Sequence, residues 1–102
     1  MAGAEELARA AKELDGDLET LHDEVSKLIR ELSSGGELTQ QFAEAVERGD
    51  SDRLERILGE AGLSDDAEVR RIEIHGSGSV DIDTCRRKQR VVCIKIHLDW
   101  SF

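Results

Sequence analysis

From Ala4 to Ser33 the apolar residues Leu7, Ala11, Leu14, Leu18, Leu21, Val25, Leu28 and Leu32 recur at alternating intervals of four and three. That spacing returns side chains to one helical face, so it predicts a single long amphipathic helix carrying an a/d heptad seam. Leu fills the d positions 7, 14, 21 and 28, and the remaining positions are mostly charged. Gly16 disfavours a helix by about 1 kcal/mol relative to Ala, but it falls on the solvent-facing f position and the phase runs through it unbroken. One helix is therefore expected, the alternative being a break at Asp15-Gly16-Asp17 with Asp17 capping a second helix. A helix of about 30 residues is about 45 Å long, whereas a 100-residue globule has a radius of gyration near ~13 Å. Such a helix outreaches its domain. Its seam of Leu7, Leu14, Leu18, Leu21, Val25, Leu28 and Leu32 is the expected interface with a second copy, the alternative being an intramolecular bundle with the helices that follow.

Ser33-Ser34-Gly35-Gly36 ends this segment. Two short helices are predicted next. The first, about Glu37 to Arg48, has Leu38, Phe42, Ala45 and Val46 on one face. The second, about Ser51 to Ala61, is capped by Asp50 or Ser51 and stopped by Gly62. Leu63 to Asp66 reads as a turn.

From residue 69 the apolar period changes to two. Three alternating stretches joined by Gly76-Ser77-Gly78-Ser79 and by Arg86–Arg90 predict an antiparallel meander. One face would carry Ile72, Ile74, Val80, Ile82, Val92, Ile94, Ile96, Leu98, Trp100 and Phe102, covered by the two short helices. The expected register pairs residues summing to 154 in the first hairpin and 176 in the second, which sets Asp81 opposite Lys95. The fold class is thus α+β, organised as a long amphipathic helix over residues 1–34 and a small α+β domain over 35–102.

Composition narrows the possibilities. The chain has 102 residues, 23 Asp+Glu against 14 Lys+Arg, two Cys and no Pro. Multi-domain enzymes and disulfide-dense secreted frameworks are excluded on this basis. No apolar run approaches the roughly 18–20 residues that span a bilayer, and the acidic N-terminus does not resemble a signal peptide. A cytoplasmic location is expected, with Cys85 and Cys93 as free thiols set diagonally across the second turn. A register summing to 178 would instead place them opposite one another.

Charge is uneven: residues 1–68 hold 19 acids and 7 bases, residues 69–102 hold 4 acids and 7 bases. The front of the chain would repel nucleic acid and anionic membrane. Arg86, Arg87, Lys88 and Arg90 form one dense basic run that could meet an acidic protein surface, including the acidic helices of another copy.

The polar sheet face gathers Glu73, His75, Asp81, Asp83, Cys85, Cys93, Lys95, His97 and Asp99. His75 and His97 are candidate partner-binding residues there. In a 1-2-3 strand order they would lie two strand spacings, about 10 Å, apart. That is too far to share an ion, so no metal and no cofactor are expected. No nucleophile–base–orienter arrangement, phosphate loop, H-E-x-x-H or C-x-x-C occurs. The expected function is a non-enzymatic protein–protein interaction module that homodimerises through its first helix. The alternatives are a small acidic inhibitor of a basic enzyme, and a ligand- or metal-binding domain on the polar sheet face.

Overall fold

The computed structural model describes residues 3–63, 67–87 and 90–101. Helix α1 spans Ala4–Ser33 without interruption, α2 spans Glu37–Glu47 and α3 spans Ser51–Leu58. A widened turn follows over Gly59–Leu63, with the helical backbone broken at Gly62 (φ +95°), the glycine expected to stop the third helix. Strands β1 (Ala67–Gly76), β2 (Ser79–Arg87) and β3 (Val91–Asp99) form one antiparallel sheet in the order 1-2-3. The architecture is the expected α+β meander beneath three helices.

Local chemistry explains the element boundaries. Gly16 sits in α1 with open space around it, as its solvent-facing heptad position requires. Gly49 adopts φ +67° just beyond α2, the left-handed conformation in which glycine ends helices at little steric cost. Asp50 then caps α3 by accepting the Arg53 N–H at 3.1 Å. At the first hairpin Gly78 has φ +81°, and its carbonyl accepts the Trp100 N–H at 2.7 Å. A side chain there would press on Ser101 at 3.2 Å, so the turn and the segment after β3 need this glycine.

The core unites all three helices with the sheet. Leu28 of α1, Phe42, Ala45 and Val46 of α2, and Leu54, Ile57 and Leu58 of α3 pack with Val80, Ile82 and Ile96. Val25 and Leu32 pack against the same cluster. The second half of α1 is therefore part of the domain core rather than an appendage to it.

The first hairpin has the expected pairing, Ile72 with Ile82 and Ile74 with Val80, with irregularities between Val69 and Arg71 and between Ile74 and Gly76. The second hairpin is displaced by two residues from the expected register. Val80 pairs with Leu98, Ile82 with Ile96 and Cys85 with Cys93, each summing to 178. Because strand side chains alternate with period two, a two-residue shift leaves every residue on its expected face and changes only its partner. The result is a nine-pair ladder that keeps Val91 and Val92 within β3.

This register overturns the free-thiol expectation. Cys85 and Cys93, directly opposed with Cα atoms 4.0 Å apart, form a disulfide across β2 and β3. Within the apolar sheet face, Trp100 departs from the expectation by standing 44% exposed. Phe102, also expected on that face, lies outside the described residues.

Candidate functional site

The structure divides the predicted seam of α1. Leu21 and Leu28 are fully buried within the chain, and Val25, Leu32 and Leu14 are half-buried. Leu7 and Leu18 are 69% and 40% exposed. Ile29, which the heptad places beside the seam, is exposed as well. Leu7, Leu18 and Ile29 are spaced by eleven residues. Eleven residues make three turns plus about 20°, so all three align along one edge of the helix over about 33 Å. The heptad count did not single out this edge, because only the packing of Leu21 and Leu28 shows which side of the seam faces inward.

At its C-terminal end the edge opens into an apolar groove. Ile29, Leu32, Phe42, Ala43, Leu98 and Trp100 line a cavity of about 470 Å³. The Phe42 and Trp100 rings meet at a centroid distance of 6.0 Å and a tilt of 52°, a favourable aromatic geometry. Among the described residues, four of the five exposed large hydrophobic ones, Leu7, Leu18, Ile29 and Trp100, belong to α1 or to this groove, the fifth being Val91.

The basic run is not uniformly available to a partner. Arg86 is buried, and its Nε donates to Asp17 Oδ1 of α1 at 3.1 Å with Glu24 at 4.0 Å. Arg90 Nε donates to Glu13 Oε2 at 2.7 Å. The acidic helix expected as a partner surface is thus, for these two residues, the chain's own α1. Arg87 is exposed, and Lys88 lies outside the described residues.

On the polar sheet face the displaced register sets Asp81 between Glu73 of β1 and His97 of β3. His75 Nε2 donates to Asp81 Oδ2 at 2.9 Å, and His97 Nδ1 pairs with Asp81 Oδ1. The two imidazole centroids are 6.4 Å apart, correcting the expectation that the histidines lie too far apart to act together. Lys95 Nζ stands 3.7 Å from Asp81 Oδ2. Hydrogen bonds from His75, then from His97, hold the Asp81 carboxyl down at about 2. The hydroxyl and backbone N–H of Ser101 likewise lower Asp99. Sequence reasoning named these residues but missed the cluster, since it placed Lys95 rather than His97 opposite Asp81.

No protein family, curated protein or solved structure matches this chain. Among the described residues, no helix is long and apolar enough to cross a membrane.

Proposed function

We propose that the protein is a non-enzymatic protein–protein interaction module that self-associates through the exposed edge of α1. The observation that carries this reading is the alignment of Leu7, Leu18 and Ile29 outside the chain's own core. An apolar edge along a helix is favoured to be covered, and closed homo-oligomers most often use a two-fold axis that pairs one patch with itself.

The spacing suggests the arrangement. Leu7 and Ile29 lie eleven residues on either side of Leu18. An antiparallel two-fold centred on Leu18 sets Leu18 against Leu18 of the second copy, and Leu7 against Ile29. A parallel pairing would leave the groove beside Ile29 and Trp100 without an apolar counterpart from the helix tip. A strip about 33 Å long on a helix about 10 Å across is small for a stable interface. A weak dimer, formed at micromolar concentration, is the expected state.

The reading keeps the cytoplasm as the place of action, where the Cys85–Cys93 bridge would be open to reduction. A bridge found intact in protein isolated under thiol-blocking conditions would move the protein to an oxidising compartment.

Cysteine placement tests the arrangement. Leu18→Cys should yield a disulfide-linked dimer on mild oxidation, whereas Leu7→Cys should not, because its partner is Ile29. Linkage through Leu7→Cys but not Leu18→Cys, or through neither, would count against the antiparallel pairing.

A further inference from the structure

The row formed by Glu73, His75, Asp81 and His97 brings two imidazoles and two carboxylates together from three adjacent strands. We propose that it is a binding site for a divalent first-row transition ion of the zinc type, held by Glu73, His75 and Asp81 with His97 completing or orienting the set.

The geometry supports three ligands first. One donor atom each from Glu73, His75 and Asp81 lies within 4.8 Å of the others. Zinc binds nitrogen and carboxylate oxygen at about 2.0–2.2 Å, so tetrahedral donors sit about 3.3–3.6 Å apart. The remaining closure is small and falls on exposed side chains. Glu73 and His75 are 49% and 40% exposed, and Asp81 is held by His75 and His97. The backbone aligns most of the row, because Glu73, Asp81 and His97 are successive cross-strand partners, and His75, at the register irregularity between Ile74 and Gly76, joins it through its hydrogen bond to Asp81. Imidazole and carboxylate together suit zinc, copper or nickel better than calcium, which takes oxygen ligands alone.

His97 has a distinct place. Its Nδ1 engages the Asp81 oxygen not used by His75. From there it either supplies the fourth donor or fixes the carboxylate, a role that tunes metal ligands in many sites. Lys95 is the competitor. Its ammonium lies 3.7 Å from the same Asp81 oxygen that His75 contacts, where a cation would bind, and it must move away when one does. Lys95→Met therefore should tighten binding, an outcome that a merely structural role for this row would not produce. Arg71, 3.8 Å from Glu73, competes more weakly from an exposed position.

The experiment is titration of the full chain with zinc chloride, read by calorimetry for stoichiometry and by light scattering for mass. One ion per chain with no zinc-induced rise in mass is expected. His75→Ala and Asp81→Ala should abolish the binding, and His97→Gln should weaken it by about 10–100-fold. Lys95→Met should strengthen it. Thermal unfolding of each variant confirms that the fold persists. If His75→Ala does not fold, the Lys95→Met and His97→Gln comparisons decide alone. Absence of binding by the native chain, binding indifferent to these substitutions, or uptake only with a rise in mass through bridging of copies would overturn the proposal.

Discussion

Arg86 of β2 and Asp17 of α1, 69 residues apart in the chain, meet in a hydrogen-bonded ion pair of 3.1 Å. The Arg86 side chain is 8% exposed and Asp17 17%, so the contact clamps the long helix to the sheet at the edge of the core. Removing one member of a buried pair leaves a desolvated charge behind, which costs about 3–5 kcal/mol. Arg86→Met should lower the stability by an amount near the bottom of that range, since Asp17 retains some solvent. Arg90→Ala breaks a pair whose members are both about half exposed, and should cost less than about 1 kcal/mol. Urea denaturation of the two variants checks the contrast, and equal effects would mean that Arg86 is not the clamp.

The Cys85–Cys93 bridge closes a short loop around the second turn. By the chain-entropy argument, a loop of this length contributes on the order of 2–3 kcal/mol by restricting the unfolded chain. The double variant Cys85→Ser/Cys93→Ser, or the native chain in reductant, should show a urea midpoint lowered to match. Native protein whose midpoint ignores reductant would argue that the bridge does not form.

Asp81 supplies a pH signature. Its folded-state value of about 2 lies below the ordinary 3.8, so the unfolded chain takes up this proton more readily. The stability it contributes is fully present above the ordinary value and is lost as pH falls through the folded one. Between about pH 4 and 2, Asp81→Asn should therefore lose stability less steeply than the native chain. Parallel acid-unfolding curves would show that the His75 and His97 contacts do not act on this carboxylate.

Gly16 offers a gain of stability. It lies in the helical region with no atom near the position of an added Cβ. Gly16→Ala should stabilise the chain by about 0.5–1 kcal/mol. Thermal unfolding measures it, and a loss would imply that the helix bends there.

The parts of the fold legible in the sequence are those set by local periodicity. The seven-residue recurrence through Gly16 marked α1, and the period-two alternation after residue 69 marked both faces of the meander. What periodicity does not contain is the partner of each residue. A shift of two residues preserves every face, so pairing Val80 with Ile96 or with Leu98 satisfied the pattern equally. That one choice decided the disulfide and the His75–Asp81–His97 cluster together. The division of the α1 seam was hidden for a related reason. Leu18 and Leu21 look alike in a heptad, and only the tertiary packing of the helix buries Leu21 and leaves Leu18 40% exposed.

Sedimentation equilibrium at tens of micromolar tests the central claim, self-association through the α1 edge, most directly. The native chain should approach twice its 11.3 kDa mass, and Leu18→Glu should return it to a single-chain mass with its helical content intact. A native chain that sediments as a monomer throughout, or a dimer unmoved by Leu18→Glu, would contradict it.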